Sequence, residues 1–435
     1  MNNFKIIGIV CLSVLVSCTG IEKSSKQSLP GKEVNPFMGF AVVDPNNQII
    51  KSENINHLFV PASILKLYHF PVFQSLQNDS AYLTTTFTIP KSDDSISLTI
   101  FSNGDPLLKM QEIDSVASII RNKYPNLTKV RISVLNYDTT EFWGKGWMYD
   151  DEPDDYQSYL NSFPIDENTL TIEYGRKNGV DSIYFKDFHI TSQIADSKFG
   201  LTRNNDNQIM IYRPDTVLNI SKTKRTFSFR KPNEIIANEL KRKFGVNKLE
   251  WSLTSEKQPD NSEETFTISH SFDQLMSTIY TNSSNFAAEQ TMRYIGLKSN
   301  NHGSIKNGLL FEKTIQPQNS FRVVDGSGLS RYNLIAISSL LPIMNKMKTE
   351  EKLKSWFAEY SKTGTLDDRT LLPKNIKIYG KSGSMTGIQN IAGFIFQDGK
   401  YLGYFIIMKN NTTESKNERY EEESKMIEEF VKWLD

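Results

Sequence analysis

Alternating apolar and polar positions predict strands near both ends of the chain. Residues 39–50 alternate on either side of a Pro-Asn-Asn turn and predict a β-hairpin. Three further segments, 375–380, 390–396 and 401–408, are separated by turn residues and predict a late block of three strands. Apolar residues from 426 to 434 then recur at helical spacing, which predicts a final amphipathic helix.

Helical spacing also appears earlier in the chain. A helix is predicted to begin at Pro61, and Pro71 should bend or stop it. Helical patterns prevail again from residue 271 until the late strands, whereas short alternating segments and acidic, Asn-rich loops fill the stretch between about 83 and 250. We therefore expect a split outer domain, residues 34–82 and 250–435, into which a mainly β domain of residues 83–249 is inserted.

The first residues have the pattern of an export signal. An apolar run follows Lys5 and ends at Val16, too short for a membrane span of about 20 residues. The run leads into Leu-Val-Ser and then Cys18, which resembles a bacterial lipobox, although an ordinary signal peptide with a chance cysteine is the alternative. We expect residues 1–17 to be removed and Cys18 to carry a lipid. Residues 18–33 would then be a flexible tether in the periplasm of the cell envelope.

Composition excludes several classes of function. Fifty Lys and Arg against fifty Asp and Glu give a formal net charge of zero, which argues against nucleic-acid binding. Cys11 and Cys18 are the only cysteines, so neither a disulfide framework nor a cysteine zinc site is expected downstream. The five histidines are scattered without a His-x-x-x-His pair, so we expect no metal and no other cofactor.

The first candidate for chemistry is a Ser-x-x-Lys motif, Ser63 to Lys66, in the first predicted helix. Residues three apart share one face of a helix, so the Lys66 amine can reach the Ser63 hydroxyl. A lysine whose pKa is lowered by burial and by other cations can accept the serine proton. On its own this spacing arises often by chance and is equally typical of a solvated helix face.

Two further motifs follow in the chain. Ser283 and Asn285 form a Ser-x-Asn motif just before a helical pattern, and a Lys-Ser-Gly motif begins at Lys381, at the end of the first late strand. A literal Lys-Thr-Gly also begins at Lys362, but the polar residues after it do not alternate as a strand would. The strand before Lys381 and the hairpin after it therefore favour Lys381 over Lys362.

The order of these three motifs resembles that of the penicillin-recognising serine enzymes. More than two hundred residues separate Ser63 from Ser283, which is too far for a class A β-lactamase. Such a large insertion is similar to that of the D-alanyl-D-alanine carboxypeptidases of the penicillin-binding protein 4 type, the S13 serine peptidases. Segments 146–151, 325–331 and 380–387 are similar to that family as well.

The resemblance implies an α/β (α+β) fold of the β-lactamase/transpeptidase-like class, with helices flanking an antiparallel sheet. It implies that Ser63 attacks the carbonyl between two D-alanines of a peptidoglycan stem peptide, with Lys66 as the base. Ser283 would relay a proton to the departing D-alanine, and Asn285 would orient the substrate and Lys66. Lys381 would attract the terminal carboxylate and help to lower the pKa of Lys66.

The residues after Lys381 are implied to bind the substrate. Ser382 would hydrogen-bond the carboxylate, Gly383 completes the motif, and the backbone N–H groups of Ser63 and Ser384 would form the oxyanion hole. β-Lactams mimic the D-Ala-D-Ala end and should acylate Ser63. The expected partners are peptidoglycan stem peptides, β-lactams as inhibitors and a membrane reached through the lipid on Cys18.

Two other readings of the motifs stay open. A serine β-lactamase would need fast hydrolysis of the acyl-enzyme, yet Gln157 stands in the Leu-Asn segment where a class A enzyme has Glu. A wall-binding protein without catalysis is disfavoured because all the motif side chains are present. Endopeptidase activity on cross-links and the role of the acidic loop 150–155, which is either solvated or in contact with substrate, also stay open.

Overall fold

The strands occur near both ends of the described chain and in a middle region, residues 84–269, which has sheets of its own. The computed structural model describes residues 36–90, 96–140, 142–186, 188–253, 263–316 and 321–435. The strands of these residues are β1 (Phe37–Val43), β2 (Ile49–Glu53), β3 (Leu58–Phe59), β4 (Thr84–Pro90), β5 (Ser97–Ser102), β6 (Lys129–Val134), β7 (Thr169–Lys177), β8 (Val180–Lys186), β9 (Ser192–Asp196), β10 (Gly200–Arg203), β11 (Ile209–Arg213), β12 (Ile220–Ser228), β13 (Lys248–Leu253), β14 (Glu263–Ser269), β15 (Ile335–Ala336), β16 (Ala358–Glu359), β17 (Ile376–Met385), β18 (Ile388–Gln397) and β19 (Lys400–Asn410).

The helices lie mostly in the second half of the chain, as the apolar spacing predicts. They are α1 (Leu65–Tyr68), α2 (Phe70–Gln74), α3 (Met110–Lys123), α4 (Pro232–Phe244), α5 (Phe272–Tyr280), α6 (Asn285–Asn300), α7 (Ile305–Ile315), α8 (Ile337–Met347), α9 (Leu353–Trp356) and α10 (Lys416–Leu434).

A six-stranded antiparallel sheet joins residues from both ends of the described chain. Its strand order is β16-β17-β18-β19-β1-β2. The predicted hairpin corresponds to β1 and β2, and the predicted late block corresponds to β17, β18 and β19, so both predictions are confirmed. β17 continues as far as Met385, so the motif that begins at Lys381 lies within the strand and not at its end.

Successive side chains of a strand point to opposite faces of the sheet, and in the central strands β18 and β19 most of them are buried, so the sheet is covered on both faces there. In β19, Tyr404 and Ile406 pack into the core below the helices, whereas Phe405 and Ile407 pack on the other face. That other face is covered by apolar residues of α10, namely Ile427, Phe430 and Val431. Helices therefore flank an antiparallel sheet, as the predicted fold class requires.

The predicted helix after Pro61 is divided into three short pieces. A 3₁₀ helix spans Ala62–Ile64, α1 follows directly, and α2 begins after His69. Pro71 occupies the first turn of α2, where its missing N–H removes no helical hydrogen bond. The helix is therefore interrupted at His69, two residues before the predicted position, and it continues through Pro71 as α2.

The middle region has a hydrophobic core of its own. Its largest sheet has the order β13-β6-β5-β4-β14, with β5, β6 and β13 parallel to one another. The helices α3 and α4 pack into this core and are not among the predicted elements. Helical apolar spacing is present in α3 at Ile113, Val116, Ala117 and Ile120, which are all buried.

The sheet of the middle region reaches past the predicted return at residue 250. β14 pairs with β4 along its length, from Glu263 opposite Pro90 to Ser269 opposite Thr84. Residues 36–435 form one unit, and the predicted domain layout otherwise stays a prediction. The predicted signal and tether, with Cys18, lie outside the described residues. Within the described ranges, no helix is long and apolar enough to span a bilayer.

Candidate active site

Ser63 and Lys66 lie close together at the start of the divided helix. Ser63 belongs to the 3₁₀ helix and is half-buried, whereas Lys66 belongs to α1 and is fully buried. Lys66 Nζ donates a hydrogen bond to Ser63 Oγ at 3.0 Å. The contact that the Ser-x-x-Lys spacing predicts is therefore present.

The Lys66 ammonium group has acceptors for all three of its N–H donors. Besides Ser63, it donates to Asn285 Oδ1 at 2.7 Å and to the Ser327 carbonyl at 2.8 Å. Burial lowers the pKa of Lys66 to about 7, although the charges of Glu289 and Asp325 act in the opposite direction. Near neutral pH a large fraction of Lys66 is therefore unprotonated and able to accept a proton.

Ser283 and Asn285 stand at the beginning of α6. Ser284, between them, is the N-cap residue, and its hydroxyl accepts a hydrogen bond from the Ala287 N–H at 2.9 Å. Ser283 adopts a left-handed backbone conformation with φ of 60°. The amide of Asn285 is oriented from both sides, because its Nδ2 donates to the Tyr156 carbonyl at 2.9 Å while its Oδ1 faces Lys66.

Lys381 reaches the same site from β17. The side chain is fully buried, and its Nζ donates to Ser283 Oγ and to the Ser382 carbonyl, both at 2.7 Å. Burial lowers the pKa of Lys381 well below its usual range, and the positive charges of Lys66 and Arg369 lower it further. From the sequence, the positive charge of Lys381 was expected to lower the pKa of Lys66. In the structure the charge of Lys66 lowers the pKa of Lys381 instead, and burial is what lowers the pKa of Lys66.

The remaining predicted residues follow Lys381 along β17. Ser382 Oγ donates to Thr365 Oγ1 at 2.8 Å, and the exposed Ser384 donates to Gln389 Oε1 at 3.0 Å. Gly383 lies against the nucleophile segment, since a Cβ on it would be 3.0 Å from the Ser63 nitrogen. The structure thus brings the strand and the 3₁₀ helix into direct contact.

Lys362, the alternative lysine of the sequence, lies away from this cluster. The side chain of Lys362 is 62% exposed and pairs with Glu359 at 3.1 Å, so this lysine does not reach Ser283. Cys18 lies outside the described residues. Among the residues that the structure describes, no group of three or more His, Cys, Asp or Glu side chains could hold a metal ion.

A cleft of about 570 Å³ opens in front of Ser63. Both the outer domain and the middle region line it, and so does the acidic loop whose role the sequence left open. The lining residues are Ser63, Met148, Asp150, Asp151, Tyr156, Asn282, Ser283, Asn285, Leu329, Arg331, Ser384, Met385 and Thr386. A peptide in this cleft would contact the nucleophile, the Ser-x-Asn motif and β17 at once.

Sequence reasoning did not find the buried acids beneath Lys66. Glu289 accepts hydrogen bonds from the backbone N–H groups of Gly326 and Ser327, at 2.9 and 2.8 Å. Asp325 accepts from the N–H of Gly328 at 2.9 Å. These bonds fix the loop whose Ser327 carbonyl holds Lys66. The Asp-Gly-Ser-Gly sequence of the loop was the available signal, since a cluster of Asp, Ser and two Gly residues marks a turn or loop.

The fold and this arrangement of a serine with two buried lysines are typical of active-site-serine enzymes that transfer acyl groups. The sequence profile of the D-Ala-D-Ala carboxypeptidase 3 (S13) family matches residues 26–431 of the chain. The chain therefore belongs to the S13 family, as the resemblance implies.

Curated relatives agree with this family. The chain is 24% identical over 398 residues to the D-alanyl-D-alanine carboxypeptidase DacB of Haemophilus influenzae, which covers 82% of both chains. It is 28% identical over 162 residues to the penicillin-sensitive carboxypeptidase A of Dictyostelium discoideum, which covers 33% of this chain and only 31% of that protein.

Solved structures share the fold. Penicillin binding protein 4 (dacB) from Haemophilus influenzae has a TM-score of 0.72 and 21% identity, and the match covers 91% of this chain and 96% of that one. A predatory peptidoglycan endopeptidase from Bdellovibrio bacteriovorus has a TM-score of 0.52 and 12% identity, with 91% and 90% covered. The predicted fold class is confirmed.

Proposed function

We propose that this protein is a serine-type D-Ala-D-Ala carboxypeptidase that acts on peptidoglycan stem peptides through an acyl-enzyme on Ser63. The observation that carries the proposal is the 3.0 Å contact between Ser63 Oγ and Lys66 Nζ, since the pKa of Lys66 lies at about 7. A hydroxyl is a poor nucleophile until a base takes its proton, and Lys66 is the base within reach.

Acylation begins when Lys66 accepts the Ser63 proton and the oxygen attacks the carbonyl carbon between the two D-alanines. The negative charge that develops on the carbonyl oxygen needs donors already in place. Ser63 and Ser384 both line the cleft, and their N–H groups are the donors that we propose. Collapse of the tetrahedral intermediate breaks the C–N bond, and the terminal D-alanine departs as an amine. Water then hydrolyses the ester and regenerates Ser63.

The leaving group faces the contact between Ser283 and Lys381. Ser283 is placed to relay a proton to the departing nitrogen, and Lys381 orients its hydroxyl from 2.7 Å. The positive end of Lys381 also attracts the terminal carboxylate of the peptide, with Ser382 as a further hydrogen-bond donor. A substrate carboxylate would favour the protonated form of Lys381, whose pKa is lowered by burial in the free site.

The edge of β17 offers a place for the peptide backbone. β16 pairs with β17 at Tyr379 and Gly380, so strand pairing on this side ends just before Lys381. An extended stem peptide can continue this edge with main-chain hydrogen bonds while its scissile bond faces Ser63. The same chemistry would cut a cross-link, in which the leaving amine belongs to a second stem peptide, so we extend the proposal to endopeptidase activity.

We also propose that the protein acts in the periplasm, anchored by a lipid on Cys18. The support is the short apolar run after Lys5 and the lipobox-like residues before Cys18. Mass spectrometry of the membrane fraction would test the anchor. A mature N-terminus at Cys18 with a diacylglycerol adduct is expected, and a Cys18→Ala variant that is still cleaved and anchored would contradict it.

The catalytic proposal is tested by following the intact mass of the soluble mature form with a penicillin, with Ser63→Ala as the control. A long-lived adduct of one penicillin on Ser63, together with release of D-alanine from a stem peptide, is expected. A short-lived adduct with rapid turnover of penicillin would instead indicate a β-lactamase. Absence of an adduct in the wild type would contradict both enzymatic functions.

A further inference from the structure

A left-handed turn in the middle region contains one residue that is poorly suited to it. Asp166, Glu167 and Asn168 have φ values of 51°, 55° and 55° in succession. Asp and Asn tolerate this conformation because their short side chains can bond to nearby backbone, whereas Glu rarely adopts it. Strain of this kind persists only where the surrounding structure imposes it, and it often marks a functional position.

The strained conformation directs the Glu167 carboxylate to the Ser-x-Asn motif. Glu167 Oε2 accepts a hydrogen bond from Ser284 Oγ at 2.8 Å, from more than a hundred residues away in the chain. Burial raises the pKa of Glu167, which means that the position disfavours a carboxylate. The left-handed backbone and the burial of the carboxylate are therefore both unfavourable locally. Together they allow the hydrogen bond between Glu167 and Ser284.

The hydroxyl of Ser284 acts as a donor and as an acceptor at the same time. It donates to Glu167 and at the same time accepts from the Ala287 N–H at 2.9 Å, which caps α6. Its neighbour Asn285 is held by the Tyr156 carbonyl, also from the middle region. The middle region thus contacts both the second and the third residue of the motif.

We propose that Glu167 is a positioning residue that fixes the Ser-x-Asn motif for acylation through its hydrogen bond with Ser284. Glu167 locks the rotamer of the Ser284 hydroxyl, and this holds the first turn of α6 in register. Ser283, in its left-handed conformation, then meets Lys381, and Asn285 meets Lys66. The inference rests on the proposed function, because it assigns the residue a part in the same acylation.

The test compares three variants by their rate of acylation with a fluorescent penicillin and by D-alanine release. Glu167→Ala should lower the second-order acylation rate by about 10- to 100-fold, as a small misplacement of catalytic groups does. Glu167→Gln keeps an oxygen acceptor and should stay within about threefold of the wild type. For D-alanine release by Glu167→Ala, kcat should fall while KM stays within about twofold, since ground-state binding does not use this bond.

A double-mutant cycle identifies the route of the effect. If Glu167 acts through Ser284, replacing it by Ala in a Ser284→Ala background should change the acylation rate by less than about twofold. An equally large loss in that background would overturn the proposal, and so would a Glu167→Gln variant as slow as Glu167→Ala. A variant with a lowered melting temperature but a wild-type acylation rate would assign Glu167 a purely structural role.

Two controls separate this inference from the proposed function. Glu234→Ala removes a side chain that is 68% exposed in the same region, and its acylation rate should equal that of the wild type. If the wild type itself is not acylated, the proposed function fails and the inference falls with it. If the wild type is acylated and Glu167→Ala matches it, only the positioning role is overturned.

Discussion

Replacing Gly328 by Ala tests how tightly the nucleophile is held. Gly328 has φ of 85°, and a Cβ placed on it would lie 2.0 Å from the carbonyl oxygen of Ala62 and 2.6 Å from its carbonyl carbon. Ala62 directly precedes Ser63, and a backbone carbonyl cannot rotate away as a side chain can. The added methyl group therefore has to displace either the 325–330 loop or the nucleophile segment.

Gly399 provides a matched control for the backbone part of the effect. It has φ of 83°, in the turn between β18 and β19, and a Cβ on it would meet nothing within 4 Å. Gly399→Ala should therefore destabilise by about 1–2 kcal/mol, the usual left-handed penalty. Gly328→Ala should add about 1–3 kcal/mol of overpacking, for a total of about 2–5 kcal/mol.

The assay is acylation by penicillin, together with the free energy of unfolding in urea. Acylation by Gly328→Ala should fall by about 100-fold, because Ser63 moves relative to Lys66 and β17. Gly399→Ala should be acylated at the wild-type rate. Equal stability losses in the two variants, or a wild-type rate for Gly328→Ala, would refute the argument that the loop and the nucleophile are in rigid contact.

Three other predictions concern charge. The acylation rate should rise as the pH rises through about 7, where Lys66 loses its proton, and a rate that is flat between about pH 6 and 8 would refute Lys66 as the base. Lys381→Ala should raise KM for D-Ala-D-Ala peptides by about tenfold or more and also lower kcat through Ser283, whereas the exposed Lys362→Ala should change neither. Burial disfavours the charged form of His270, but its hydrogen bonds to Asp105 at 2.7 Å and Glu112 at 3.0 Å, together with the charges of these two acids, outweigh this and raise the pKa of His270. The stability from these contacts is thus fully present below the unfolded-state pKa of about 6.5 and is lost as the pH rises through the raised value. Urea unfolding should accordingly show a larger loss for His270→Gln at acid pH than at alkaline pH, and an equal loss would contradict the assignment.

The three motifs could be predicted because each is local in sequence. Ser63 and Lys66 are one helical turn apart, and Lys381 sits in a strand whose alternation is visible on both sides. The environment that adjusts their chemistry could not be predicted in the same way. One of the three acceptors of Lys66 is the backbone carbonyl of Ser327, which lies 261 residues away in the chain. Every residue has a backbone carbonyl, so the identity of residue 327 does not indicate this contact.

The contacts that the middle region makes with the active site could not be predicted from the sequence either. Its strands and acidic loops are visible in the sequence, yet nothing local indicates that Tyr156 supplies a carbonyl to Asn285 or that Glu167 meets Ser284. Two unrelated physical signals mark these contacts only once the structure is known. They are a left-handed backbone at a residue that avoids it and a carboxylate placed where burial raises its pKa.

The nucleophile segment is itself strained, and the contacts around it explain why it remains so. Ala62 has φ of 47°, a conformation that costs a non-glycine residue about 1–2 kcal/mol. From the sheet, Asn390 Nδ2 donates to the carbonyls of Val60 and Pro61 at 3.0 and 2.8 Å, so the chain entering the turn is fixed by a buried amide. From the opposite side, the backbone at Gly328 fills the space next to the Ala62 carbonyl. These contacts leave the Ala62 peptide little room to relax, so the orientation of Ser63 towards Lys66 is already established before a substrate binds. The free energy of that ordering is supplied by folding and not by the reaction.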